Sequence, residues 1–140
     1  MNKAQIPQNI QDFISAHHVL SLSTVHKGAV SSCSVFYVFI EAQKCFVFAS
    51  QDKSEHIQNI LQNNNVSACI HDEVREVIRI KGLQVKAKAK RASKEYEKVY
   101  FESYPEAKDF EKGIWVLDIV ELKYTDNKVL GLGEKEKWEV

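Results

Sequence analysis

Three short stretches of the chain carry residue types that could do chemistry. Ser31-Ser32-Cys33-Ser34 is a run of small side chains inside an otherwise bulky segment that ends in Val35 and its apolar successors. Small side chains let a flat ligand approach the backbone closely, where N–H and C=O groups can read its edge. The same residues would also fit a crowded barrel interior. Asp52-Lys53-Ser54-Glu55 reads as a helix start, with Asp52 as the cap and Glu55 three residues on. A lysine in that first turn opposes the helix dipole, and a bound anion would remove the conflict. Free backbone N–H groups, the Ser54 hydroxyl and the Lys53 ammonium could together hold a phosphate, with Ser50 and His56 near enough to assist. A capped surface helix with a solvated lysine is the plainer alternative. In the third stretch, Lys86 to Arg91, strand alternation puts Lys86, Lys88 and Lys90 on one face and the alanines on the other. Such a face could meet an anionic partner, or simply be solvated and guard a sheet against edge pairing.

Other chemistry finds little support. His17, His18, His26 and His71 do not fall at a metal-ligand spacing, and no CxxC or HExxH occurs. There is no nucleophile elbow of the GxSxG type and no glycine loop for a nucleotide. Cys33 and Cys45 could be reactive thiols, but nothing nearby in sequence would lower their pKa, and buried cysteine is the commoner case. With Cys69 they form an odd set without a close pair, which suits a reducing cytosol.

The elements that must position these residues belong to an ordinary globular chain. Its 140 residues make about one domain, and 44% hydrophobic with 27% charged residues is an average composition. Nineteen basic against nineteen acidic residues leave no formal charge, which argues against non-specific nucleic-acid binding. The longest apolar run, Val35 to Ile40, is far short of a membrane span, and Met1-Asn2-Lys3-Ala4-Gln5 offers no signal core. A cytoplasmic protein is expected, so the glycosylation pattern Asn65-Val66-Ser67 is idle.

Pro7 can open a helix carrying Ile10, Phe13 and Ile14. Val19–Val25, a turn at His26-Lys27-Gly28, Ala29–Ile40, a turn at residues 41–44 and Cys45–Ala49 read as two hairpins. Ile57, Ile60 and Leu61 supply the buried stripe of the next helix, which Asn63-Asn64-Asn65 stops. Strands follow at Val66–Ile70 and from Val74 to about Lys90, with Gly82 in the middle of the longer one. Ser93–Phe101 reads as a helix, Pro105–Phe110 as a further turn or two, Ile114–Tyr124 as a strand, and Val129–Val140 as another. The fold class expected is mainly β, an antiparallel barrel of six or seven strands with two or three outer helices.

This order, with Lys53-Ser54 at a helix start and a long strand around Ile80-Lys81-Gly82, resembles the FMN-binding split barrels related to pyridoxamine phosphate oxidase. The tail Leu122-Lys123-Tyr124-Thr125-Asp126-Asn127, then Leu130-Gly131-Leu132-Gly133 and Trp138, is similar to a small uncharacterised bacterial branch of that superfamily. The resemblance spans nearly the whole chain. It implies a homodimer with two FMN sites at the subunit interface. The strand matching Ser32, Cys33, Ser34 and Val35 would lie along the isoalloxazine ring, and Lys53 and Ser54, with Ser50 beside them, would hold the phosphate. Lys81 would border the site, and Trp138 would approach from the partner subunit. The arginine-rich apparatus of the true oxidases is missing, since the tail from Gly133 to Val140 has no arginine, so pyridoxamine phosphate oxidation itself is not expected. Two functions fit: an FMN-dependent oxidoreductase with unknown small-molecule substrate and electron donor, or a non-catalytic barrel that stores flavin, binds haem or holds no cofactor. His17, His18 and His26 keep haem open as an iron-ligand chemistry. A dimer is also suggested by the residues from Val35 to Ile40, which are apolar on both faces of a strand.

Overall fold

The computed structural model describes residues 4–109 and 113–140. Met1, Asn2 and Lys3 at the N-terminus, and Phe110 at the end of the expected 105–110 turn, lie outside the described residues. The elements run α1 (Gln8–Ser15), β1 (Val19–His26), β2 (Ala29–Ile40), β3 (Cys45–Ser50), α2 (Glu55–Gln62), β4 (Asn65–His71), β5 (Lys81–Arg91), α3 (Lys94–Ser103), β6 (Gly113–Asp126), α4 (Asn127–Leu130) and β7 (Lys135–Glu139). The sheet order is β3-β2-β1-β4-β5-β6-β7, and β3 also pairs with β6, so six antiparallel strands close on themselves and β7 is added outside. The expected barrel is therefore present, with α1 to α4 as its helices among the described residues.

Alternation fills the interior. On β1, Leu20, Leu22 and Thr24 are buried between more exposed neighbours, and on β5 Leu83, Val85, Ala87 and Ala89 do the same. Phe46, Phe48 and Leu117 complete the centre with no exposed surface. The β1–β2 turn places Lys27 and Gly28 at φ 50° and 81°, a pair of positive values that a tight hairpin demands and glycine accepts. Helix α1 carries Ile10, Phe13 and Ile14 into the core, and the buried Tyr37 hydroxyl fastens it by donating to Ile14 O at 2.6 Å. Helix α2 is held from inside by the buried Asn59, whose Nδ2 donates to Thr24 Oγ1 at 3.0 Å.

Several expectations are corrected. The strand expected from Val74 begins only at Lys81, because residues 72–80 form a loop with a short 3-10 turn, Val77–Arg79. Val77 and Ile78 imitate a strand's apolar content but stand 71% and 50% exposed. Gly82 is thus near the start of β5 rather than in its middle. Leu61 is exposed, and Asn59 takes its place in the buried stripe of α2. Asp52 is not the cap of α2; Ser54 occupies the N-cap position, without a side-chain cap bond. The last segment is split, with α4 and a glycine turn preceding β7. No helix among the described residues is long and apolar enough to cross a membrane.

Candidate functional site

The barrel opens where β2 and β3 part. Their pairing runs from Ile40↔Cys45 to Tyr37↔Phe48 and stops there, while β2 stays paired with β1 down to His26↔Ala29. Residues 29–36 therefore have a strand on one side only among the described residues. Which backbone groups face the gap follows from the ladder. Tyr37 N donates to His18 O at 2.9 Å, so Val35, Cys33 and Ser31, in step with Tyr37, also point their backbone groups at β1. Ser32, Ser34 and Phe36 point theirs away from β1, into the gap. A short edge of alternating N–H and C=O groups is thus available to something flat.

The chain leaving β3 turns across that gap. Residues 51–54 close a tight turn, with Ser54 N bonded to Gln51 O at 3.0 Å, and α2 starts immediately after. Ser50 pairs with Gly113 on β6, and its hydroxyl meets His56 Nε2 at 2.6 Å. Burial holds the His56 pKa below that of an ordinary histidine, and the neighbouring Glu55 partly offsets the effect. A neutral imidazole then accepts from the Ser50 hydroxyl. Lys53 is exposed and has no side-chain partner among the described residues. The Ser54 hydroxyl is likewise uncommitted. Two carboxylates share this corner: Glu55 Oε1 accepts from Ser31 Oγ at 2.5 Å, and Asp52 Oδ1 faces Arg91 Nη1 at 3.5 Å. Arg91 in turn lies 4.5 Å over the ring of Trp115.

The outer face of β1, β2 and β4 adds a floor of small residues. Ser21 lies opposite both Ser34 and Cys69, and Ser23 opposite both Ser32 and Ser67. The Ser23 and Ser32 hydroxyls bond at 2.9 Å. A cleft of about 250 Å³ crosses this floor between Ser21, Ser67 and Cys69 on one side and Gln84, Lys86 and Glu121 on the other. On β1 and β2, Val19, Val30 and Phe36 also stand exposed, Phe36 to 57%. A separate groove of about 610 Å³ runs between α1, β2 and α3, lined by His18, Phe36, Phe39 and Tyr104. His17, beside it, is occupied: its Nδ1 meets Phe13 O at 2.7 Å and its Nε2 meets Asp72 Oδ1 at 2.6 Å.

The structure thus brings Ser50, Lys53 and Ser54 to the end of the β2 gap, beside Ser31. Ser32 and Ser34 are exposed, whereas Cys33 and Val35 face inward, and burial pushes the Cys33 thiol up. That favours the thiol over the nucleophilic thiolate. Lys81 is not with them; it opens β5 opposite Asp126, at the far end of the strands from the 51–54 turn. Trp138 is 6% exposed, with its indole N–H donated to Ala4 O at 3.2 Å, so it serves the core of its own chain. The lysine face of β5 is present as alternation implied, with Lys86 near Glu121 at 3.6 Å and Lys90 paired to Asp118 at 3.0 Å. Among the described residues no group of three or more histidines, cysteines or carboxylates stands close enough to hold a metal ion. The sequence reading named Ser31, Glu55 and Arg91 in three separate stretches without joining them in this corner, and it missed Trp115.

Comparison with known proteins agrees with this architecture. The family described as pyridoxamine 5′-phosphate oxidase matches residues 6–126. A UPF0306 protein of Campylobacter jejuni is 36% identical over 130 residues, covering 91% of this chain and 94% of its own length. Among solved structures, a haem-binding protein from Mycobacterium smegmatis superposes with a TM-score of 0.74 at 17% identity, covering 91% of this chain and 55% of that one. An FAD-binding protein from Mesorhizobium loti gives 0.70 at 11% identity, covering 84% of this chain and 91% of that one. A family match over most of the barrel, joined to relatives of the same length and to the closed six-strand topology, means that the chain belongs to the pyridoxamine 5′-phosphate oxidase family, within the proteins grouped as UPF0306.

Proposed function

We propose that the protein binds FMN in the gap beside β2, as a homodimer, and serves as an FMN-dependent oxidoreductase for a small molecule. The observation that carries the reading is the unpaired edge of β2 ending at the 51–54 turn. A flavin ring presents alternating donors and acceptors along one side, and the backbone groups of Ser32 and Ser34 match that chemistry. Their small side chains leave the approach open, with Cys33 and Val35 packed beneath. The phosphate falls to Lys53, the Ser54 hydroxyl and the free N–H groups at the start of α2. Ser50 acts through His56, fixing the imidazole that borders this end. When bound, the flavin supplies the electron transfer, so the protein needs only to orient the ring and exclude water. That a structural neighbour binds FAD supports a flavin on this scaffold.

The dimer is supported by the outer face of β1, β2 and β4. A chain with 27% charged residues carries none between Val19 and Val25 on β1 or between Val30 and Phe36 on β2, apart from the hairpin turn itself. An exposed, uncharged sheet face of this kind suits a second copy of the same face. Lys81 belongs to the proposal only through such a partner.

A haem-binding reading has one observation of its own. The aromatic groove holds His18, whose imidazole has no partner among the described residues, beside Phe36 and Tyr104. The haem-binding neighbour supports it. The visible spectrum of protein purified without added cofactor decides between them. Flavin absorption that leaves with a denatured, FMN-sized chromophore supports the first reading; a porphyrin band that is lost in His18→Ala supports the second and overturns the first.

A further inference from the structure

We infer that the corner between the 51–54 turn and the end of the barrel is an oxyanion site, in which the indole N–H of Trp115 and the guanidinium of Arg91 bind a phosphomonoester or inorganic phosphate that displaces the Asp52 carboxylate. Trp115 is 2% exposed, and its Nε1 is the buried side-chain polar atom that lacks a hydrogen-bond partner among the described residues. Native proteins rarely leave such a donor unpaired, and an orphan at a candidate site points to something that visits it. The other tryptophan shows the ordinary outcome, with its N–H satisfied by Ala4 O.

The surroundings of the orphan are those of an anion receptor. Arg91 is stacked 4.5 Å over the Trp115 ring, which fixes the plane of its guanidinium at the same spot. Among the described residues its Nη1 has Asp52 Oδ1 as its one hydrogen-bond partner, at 3.5 Å, the outer limit of a hydrogen bond. Gly113 locates the convergence. A Cβ built there would stand 2.5 Å from Asp52 Oδ1, 3.0 Å from Arg91 Nη1 and 3.1 Å from Trp115 Nε1. Three polar atoms from three elements thus meet over one glycine, in a cradle that a side chain would fill. Two of them are donors. The third is a carboxylate oxygen, which stands in for the oxygen of a ligand without reaching both donors.

Asp52 is free to yield. Its side chain is 60% exposed on a tight turn, so it can swing to solvent without disturbing the core. Once it leaves, the guanidinium of Arg91 and the indole N–H of Trp115 are left facing the corner, whose other carboxylate, Glu55, is engaged by Ser31. An oxyanion then satisfies the orphan N–H and the forked guanidinium together, a geometry that phosphate matches and a single water does not. This inference rests on the flavin reading only for which ester arrives, not for the existence of the site.

The test follows the indole N–H resonances of the intact, ¹⁵N-labelled protein, assigned with Trp115→Phe, during addition of inorganic phosphate, with chloride matched for ionic strength. The Trp115 resonance should move with phosphate and the Trp138 resonance should stay. Asp52→Asn removes the internal competitor and should tighten phosphate binding about tenfold. Arg91→Gln should weaken it about tenfold or more, and Gly113→Ala should fill the cradle and abolish the response while the spectrum elsewhere stays folded. A Trp115 resonance that ignores phosphate in both wild type and Asp52→Asn overturns the site. FMN and riboflavin titrations separate the sources. If phosphate moves the resonance but neither flavin binds, the site stands and the flavin reading falls. If FMN quenches normally while inorganic phosphate leaves the Trp115 resonance still in wild type and Asp52→Asn, the flavin reading stands and this site falls.

Discussion

Replacing Lys53 by alanine isolates the phosphate from the rest of the flavin. Lys53 is exposed, has no side-chain partner among the described residues, and sits one residue before the N-cap of α2. Nothing in the fold depends on it, so stability should change by less than about 0.5 kcal/mol, as for ordinary surface substitutions. Its contribution to binding is set by exposure. A unit charge about 4 Å from another in bulk water gains about 1 kcal/mol, and a phosphate monoester carries about −1.5 to −2 charges. The loss is then about 1.5–2 kcal/mol, near the lower end for a charge-assisted hydrogen bond. FMN should bind about 10- to 30-fold more weakly to Lys53→Ala, since each 1.4 kcal/mol is about tenfold. Riboflavin, which lacks the phosphate, should bind both proteins alike. Added salt should narrow the FMN difference, because the interaction is solvent-exposed. Flavin fluorescence quenching at two ionic strengths measures all four affinities, and Lys88→Ala, on the solvated face of β5, is the control. Equal FMN affinity for wild type and Lys53→Ala would refute the placement of the phosphate at this turn.

Three further outcomes follow from the packing. Asn59→Leu leaves the buried Thr24 hydroxyl without its donor and should cost about 1–3 kcal/mol in urea denaturation; an unchanged midpoint would mean that α2 is not held from inside. Tyr37→Phe removes the bond to Ile14 O and should cost about 1 kcal/mol, measured the same way, with no loss of flavin affinity. Burial lowers the folded-state pKa of His56, so between that value and the ordinary histidine value of about 6.5 the unfolded chain binds the extra proton. Stability from this group is present above about pH 6.5 and is lost as pH falls toward the lowered value. His56→Gln should flatten that part of the pH–stability curve relative to wild type, and parallel curves would contradict it.

The parts of the fold that were legible in the sequence are those whose signals are local. The two hairpins announce themselves through turns at Lys27-Gly28 and Lys44 between β-branched and aromatic runs, and α1 through the spacing of Ile10, Phe13 and Ile14. The errors come where local pattern and tertiary role part. Val74, Val77 and Ile78 look like strand residues, yet no strand among the described residues pairs with them, so they stay in a loop. Leu61 has the apolar character for the buried stripe of α2, but the helix phase puts Asn59 there, where Thr24 satisfies it. Trp138 was named only through the family resemblance; its own alternation turns the side chain inward. In the candidate site, Ser32, Ser34, Lys53 and Ser54 could be named from sequence because each cluster is contiguous. Arg91, Trp115 and Gly113 were not, since they meet Asp52 only through the β3–β6 and β5–β6 registers.

The uncharged face and the β2 edge belong to the same strand, so the proposed dimer and the proposed flavin site predict a coupling between assembly and ligand binding. Ser32 and Ser34 turn their side chains outward toward the serine floor and their backbone groups toward the gap. A second copy seated on the floor would therefore wall one side of the flavin cleft. Ser23→Arg puts a charge at the centre of that floor, where Ser23 bonds Ser32, without touching the core. It should convert a dimer into a 16.1 kDa species in light scattering, because an unpaired charge buried between two sheets is costly. Flavin affinity should fall with it, for both FMN and riboflavin, since what is lost is the wall of the cleft rather than the phosphate contact. This pattern differs from that of Lys53→Ala, which spares riboflavin and the dimer. A wild type that scatters as a 16.1 kDa monomer would break the coupling at its first step. A monomeric Ser23→Arg that binds riboflavin as wild type does would leave the dimer intact as a finding and place the flavin on one subunit alone.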